Sequence, residues 1–147
     1  MIDFTLESHI GQPPAEVFDY VSDPERLASW QTNTVSAVPD GPMRLGTRLR
    51  EVHRTPGGKE LESVVEVAEF EPGRVFALRV VEGTPVHLRI TLDPAEGGTR
   101  LRFRAHGQLT GAMRLLQPVI GRVLRRQFSE QLATLKRVLE PVPAALR

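Results

Sequence analysis

The hydrophobic period changes once along this chain, and that change limits what the chain can fold into. Up to about residue 108 apolar side chains recur at every second position in short runs, whereas from Gly111 to Glu140 they recur every three or four. Period two marks a half-buried strand, and period 3.6 marks an amphipathic helix. The first run, Ile2 to Ile10, turns Ile2, Phe4, Leu6 and Ile10 to one side. Six further strands are predicted, at roughly 34–39, 46–54, 59–70, 74–82, 85–92 and 99–108. The breaks between them are Pro39-Asp40-Gly41-Pro42, Thr55-Pro56-Gly57-Gly58, Glu71-Pro72-Gly73, Gly83-Thr84 and Asp93-Pro94-Ala95-Glu96-Gly97-Gly98, all rich in residues that set or permit turn dihedrals. Breaks this short make neighbouring strands antiparallel, as in a meander.

Two short helices are predicted between the first and second strands. Pro13-Pro14 ends the first strand and opens a helix through Val21, because a proline at the first helical position gives up an N–H that has no partner there anyway. Asp23-Pro24 repeats the device, with Asp23 as the cap of a helix that ends near Trp30. At the C-terminal end, Gly111 to Glu140 is predicted as one long helix with a divided stripe. Leu116, Ile120 and Val123 point one way, while Phe128, Leu132, Leu135 and Leu139 are rotated roughly a quarter turn from them. Pro118 and Gly121 lie in the first half, where an internal proline would bend the helix. The tail, residues 141–147, is expected to be poorly ordered.

Composition removes several classes of function. At 147 residues the chain has the size of one domain, expected over residues 1–140. Its 19 basic and 18 acidic residues leave +1, too little net field for general nucleic-acid binding. No cysteine is present, which excludes iron–sulfur, zinc-finger and cysteine-nucleophile chemistry. The four histidines fall on different strands without metal-ligand spacing, so no metal and no cofactor is expected. Phosphate-loop, zinc-protease and serine-hydrolase motifs are absent. The N-terminal residues lack a signal-peptide layout and no run has the length of a membrane span, so the expected location is cytoplasmic, without an integral membrane segment.

Alternation assigns the two faces of the sheet. Leu101, Phe103 and Ala105, Val86, Leu88, Ile90 and Leu92, and Phe76, Leu78 and Val80 form the inner face. Arg100, Arg102, Arg104, Arg89 and Arg79 lie opposite, either as a solvated face paired with Glu60, Glu62 and Glu66 or as a docking surface for a protein partner. The third strand breaks the rule, because the inner series Thr47, Leu49, Glu51, His53 carries a carboxylate and an imidazole. Burying an unpaired charge is costly, so these two either pair, reach water in a cavity, or are turned outward by a one-residue slip at Thr55–Gly58. On the long helix Arg114, Arg122, Arg125, Arg126, Lys136 and Arg137 form an outward basic face, read as solvated or as a membrane-surface contact.

The order strand, two short helices, six-strand meander, long helix is similar to that of the START-like or SRPBCC superfamily, near its polyketide cyclase/dehydrase and lipid-transport branch. The resemblance rests on Ile10 with Pro13 to Phe18, Val21-Ser22-Asp23-Pro24, Trp30, Gly46, Val67 to Phe70 with Glu71-Pro72, Gly97-Gly98-Thr99-Arg100-Leu101, and Leu132, Leu135, Lys136, Leu139 and Glu140. It implies an α+β helix-grip fold, in which a curved seven-stranded antiparallel sheet wraps a long C-terminal helix around a hydrophobic tunnel. The candidate ligand-binding residues are Trp30, Leu49, Glu51, His53, Val65, Leu78, Leu88, Ile90, Phe103, Met113, Leu116, Ile120, Leu124 and Gln127. The resemblance implies a hydrophobic small-molecule ligand of lipid, quinone or polyketide type. Two alternatives stand beside it. One is a cyclase/dehydratase with Glu51 and His53 as acid–base groups; the other is a protein-interaction module, with a protein partner or homodimer.

Overall fold

The computed structural model describes residues 1–55 and 57–140, so Pro56 of the predicted Thr55–Gly58 turn and the tail 141–147 lie outside the described residues. Strands β1 (Ile2–Ile10), β2 (Thr34–Pro39), β3 (Arg48–Arg54), β4 (Glu60–Glu71), β5 (Val75–Glu82), β6 (Val86–Ala95) and β7 (Gly98–Gly107) form one seven-stranded antiparallel sheet. The spatial order is β1-β7-β6-β5-β4-β3-β2, a meander closed by β1 pairing with β7. Bulges on β2, between Thr34 and Ser36, and on β4, near Val64 and Val67, add twist and help to coil the sheet into a concave wrap. Helices α1 (Pro14–Val21) and α2 (Leu27–Trp30) join β1 to β2, and α3 (Gln117–Leu139) closes the fold. This is the α+β helix-grip architecture.

Two boundaries differ from the sequence expectation, each for a physical reason. The predicted break at Asp93–Gly98 shrinks to Glu96-Gly97, because β6 continues through Asp93-Pro94-Ala95 in register with Arg100-Thr99-Gly98. Pro94 is tolerated because β5 pairs with β6 only as far as Thr91, which leaves that flank of β6 without a strand whose bonds a missing N–H would break. At the other end, the predicted helix from Gly111 opens as a 3-10 segment, Gly111–Leu116, and turns α-helical only at Gln117. Pro118 therefore occupies the first turn of α3, where its ring costs no hydrogen bond, and the kink predicted from an internal proline does not arise. The second short helix likewise begins with a 3-10 turn, Pro24–Arg26, capped by Asp23 Oδ1 accepting from the Glu25 N–H at 3.0 Å.

The core lies between the concave sheet and the helices. Val17, Phe18 and Val21 of α1 and Trp30 of α2 are buried with Leu49, Val67, Leu101 and Phe103 of the sheet. Phe18 packs edge-on to Phe70 and Phe76, with centroids 5.2 and 6.2 Å away. From α3, Leu132 and Leu135 are buried and Phe128 stacks 4.8 Å from Phe103. The end of this helix is tied to the end of β1. Glu140 Oε1 accepts the Gly11 N–H at 2.8 Å, Gln12 Nε2 donates to the Leu139 carbonyl at 2.9 Å, and Lys136 donates to the His9 carbonyl. Lys136 and the Gly11 amide hold the Glu140 carboxyl below its usual pKa.

The sheet has one weak seam. β5 and β6 pair from Val75 with Thr91 to Leu78 with Leu88 and no further, and beyond that point the Val80 N–H donates to His87 Nδ1 at 3.1 Å. An imidazole lone pair thus replaces a strand carbonyl. Burial first, then the neighbouring His106 and Arg79, push the His87 pKa below its ordinary value.

A histidine with a depressed folded-state pKa contributes stability above its unfolded value of about 6.5, and that contribution is lost as pH falls through the folded value. The melting temperature should therefore fall between about pH 7 and pH 5, where carboxylates stay ionised. His87→Asn, which keeps an acceptor but cannot titrate, should flatten that slope; identical slopes in wild type and variant would remove His87 from the account. Glu140→Ala should cost about 1 kcal/mol in denaturant unfolding, through loss of a charge-assisted bond that is partly screened.

Candidate ligand-binding site

Strand β3 runs in unbroken register against β4, from Arg48 opposite Glu66 to Arg54 opposite Glu60. No slip occurs at the following turn, so Glu51 and His53 share the concave side with Leu49. Glu51 is 5% exposed and is paired rather than isolated. Its Oε1 lies 3.0 Å from His53 Nε2, His53 Nδ1 lies 3.3 Å from Thr34 Oγ1, and the Thr34 hydroxyl donates to Gln31 Oε1 at 3.2 Å. This chain joins β3, β2 and the residue that follows α2. It satisfies a buried carboxylate and holds the imidazole between Glu51 and Thr34. The single Thr34 hydroxyl proton given to Gln31 cannot also serve His53, so the chain by itself does not occupy the Nδ1 lone pair.

Beside this chain lies a small apolar cavity walled by Trp30, Leu78, Leu88, Ile90 and Phe103, together with Val21, Leu27, Gln31 and Phe76. Its volume of about 10 Å³ is that of a site for one water at most. Trp30, which lines it, has its Nε1 buried without a hydrogen-bond partner, as are Gln131 Oε1 of α3 and His106 Nδ1 of β7. Gln131 Nε2 donates to Asn33 Oδ1 at 2.8 Å, which fixes the amide and leaves its oxygen bare. A buried donor and a buried acceptor left unpaired are unusual, and each destabilises the fold by about 1–3 kcal/mol until something polar meets it.

The sequence-predicted residues fall into three groups. Trp30, Leu78, Leu88, Ile90 and Phe103 converge on the cavity. Leu49 and Val65 are buried in the core, and Glu51 and His53 form the polar chain. On the C-terminal segment, Ile120 and Leu124 pack against the core at half burial and Gln127 is half-buried, whereas Met113 and Leu116 are about half exposed. Helix α3 packs chiefly on β1 and α2, leaving the first turns of its other flank uncovered. Sequence reasoning missed Gln31, Thr34 and Gln131. The signal for Gln131 was present, since a glutamine sits within the apolar stripe between Phe128 and Leu135; Thr34 becomes relevant only through the pairing that sets it opposite His53.

The outer face carries ion pairs throughout. Arg54, Arg50 and Arg48 meet Glu60, Glu62 and Glu66, Arg79 shares Glu66, and Arg89 grips Glu69 through two bonds of 2.7 and 3.2 Å. Arg100 and Arg102 share Glu7, and Arg104 holds Asp3 at 3.0 and 2.9 Å. Among the described residues no group of three His, Asp or Glu side chains is placed to hold a metal ion, and no helix is long and apolar enough to cross a membrane.

Comparison with known proteins agrees with this geometry. No curated protein sequence matches the chain. Among solved structures, TTHA0849 from Thermus thermophilus is similar with a TM-score of 0.78 at 21% identity, over 92% of this chain and 94% of that one. The di-domain ARO/CYC StfQ from the steffimycin biosynthetic pathway is similar at 0.77 and 14% identity, over 94% of this chain and 50% of that one. The Aha1 dimer from Colwellia psychrerythraea gives 0.70 at 16% identity, over 96% and 98%. At such identities these likenesses speak for the fold alone. The model of the family described as polyketide cyclase / dehydrase and lipid transport matches residues 1–140, and this chain, a helix-grip domain of the SRPBCC superfamily, belongs to that family.

Proposed function

We propose that this protein binds a hydrophobic small molecule of lipid, quinone or polyketide type between the concave sheet and α3, and acts as a binding or carrier protein in the cytoplasm. The observation that carries the reading is that Trp30, a residue lining an apolar cavity, has an indole N–H buried without a partner. Apolar walls supply affinity and a few polar groups orient the ligand. A ligand carbonyl accepting from Trp30 Nε1 would relieve the orphaned donor. Membership of a family that includes lipid transport supports the same class of ligand.

Binding is preferred over cyclisation or dehydration because neither Glu51 nor His53 lines the cavity. It is preferred over a protein-interaction role for the sheet because the outer arginines are already neutralised by carboxylates. The cavity is too small for such a ligand as it stands, so entry requires the wall to move.

Trp30 is the sole tryptophan, so its emission reports this wall alone. Decylubiquinone, an anthraquinone and palmitic acid, titrated singly, should include at least one that changes Trp30 fluorescence and appears as a bound mass in native mass spectrometry. Leu88→Trp, which fills the cavity from a half-buried position, should weaken that binding about tenfold or more, close to 1.4 kcal/mol. Trp30→Phe keeps the ring and deletes the donor, and should cost a carbonyl ligand roughly fivefold, about 1 kcal/mol. A protein that takes up none of the three, or whose binding ignores both substitutions, would overturn the reading.

A further inference from the structure

The arginines of the strands and those of the early C-terminal helix differ in their partners. Those on the sheet are each within 3.3 Å of a carboxylate. Arg114, Arg122 and Arg125, on the 3-10 segment and the first half of α3, have no carboxylate partner among the described residues, and Arg125 lies over the Phe4 ring at 5.8 Å. The sequence explains the difference, since no acidic residue occurs between Glu96 and Glu130.

The same stretch exposes its largest apolar side chains. Leu115 is 85% exposed, and Met113, Leu116, Val119 and Val123 are each about half exposed. An open groove of about 700 Å³ runs between the start of β1 and this part of α3. Ile2, Phe4 and Pro118 line it with Arg114, Arg122 and Arg125. Its acid, Asp3, is already occupied by Arg104.

We propose that this basic, apolar flank docks the protein on an anionic lipid surface, with Leu115 and its apolar neighbours entering the interface and the three free arginines contacting headgroup phosphates. Charge decides the occupant. A second copy meeting the same patch across a two-fold axis would set arginine against arginine. A neutral apolar partner would leave three cations unmatched. An anionic bilayer offers phosphate for the cations and hydrocarbon for the leucine, and the surrounding sequence adds no repelling carboxylate. No described helix is long and apolar enough to cross the bilayer, so the contact is interfacial.

The surface stands independently of whether the cavity binds a ligand. It is tested by co-flotation with vesicles of phosphatidylcholine alone and of phosphatidylcholine mixed with phosphatidylglycerol. The wild type should float with the anionic vesicles, less so at high salt, and not with the neutral ones. Arg122→Glu with Arg125→Glu should reduce the bound fraction about tenfold or more, and Leu115→Ser should reduce it several-fold. All three positions are exposed, so unchanged melting temperatures would show that the variants remain folded. Leu88→Trp should float like the wild type, which separates this surface from the cavity. Equal flotation with both vesicle types, no flotation at all, or retention of vesicle binding by both variants would overturn the proposal. Capture by soluble polyglutamate in place of vesicles would overturn it too, and would point to an acidic protein.

Discussion

Phe128, Leu132 and Leu135 turn one face of α3 into the concave sheet, and the rest of the molecule is arranged around that contact. Leu135 is fully buried, and the Phe128 ring lies against Phe103 of β7 and, at 6.3 Å, Phe4 of β1. The antiparallel meander supplies a curved surface, but a sheet with one apolar face is not stable until something covers it. The second half of α3 provides that cover, and Glu140, Leu139 and Lys136 hold it against the turn after β1. The helix is thus fixed at one end. Its first turns, with Met113, Leu116 and Val123 half exposed, are held much less, and local opening follows low burial.

Polar groups inside the fold are placed along a single route. Glu51, His53, Thr34 and Gln31 hydrogen-bond one another across β3, β2 and the end of α2. A buried carboxylate tolerated in this way fixes the register of β3 strongly, since a one-residue slip would break the chain and bury new charge elsewhere. Trp30 Nε1, His106 Nδ1 and Gln131 Oε1 are left out of the network. Deviations from full satisfaction concentrate where a fold has work besides stability. Of these three residues, Trp30 lines the cavity, His106 lies beside His87 at the weak seam of the sheet, and Gln131 faces Asn33 from α3.

Charge follows a comparable division of labour. On the convex sheet, strand register places most arginines directly or diagonally opposite a glutamate or aspartate, and Arg89 reaches across β5 to Glu69. Along the 3-10 segment and early α3, Arg114, Arg122 and Arg125 have no such neighbour among the described residues, and only Arg126 reaches Glu130. The near-zero net charge of the chain therefore conceals a neutralised sheet and a basic helix flank.

The sequence by itself determined the order of elements, the antiparallel meander, the two faces of the sheet and the helical stripe of Phe128, Leu132, Leu135 and Leu139. These are local properties, because period and turn chemistry act between residues a few positions apart. It placed five of the cavity wall residues for the same reason. Where Pro118 would fall in the helix was not legible, since the switch from 3-10 to α-helix at Gln117 depends on how Leu109 and the preceding strand meet the core, with Gln117 Oε1 accepting the Leu109 N–H at 2.7 Å. The partner of His53, the isolation of Gln131 Oε1 and the separation of paired from unpaired arginines were decided only by tertiary structure. Each depends on which residues stand opposite across strands or helices distant in sequence, and a burial pattern records only which way a side chain faces, not what it meets there.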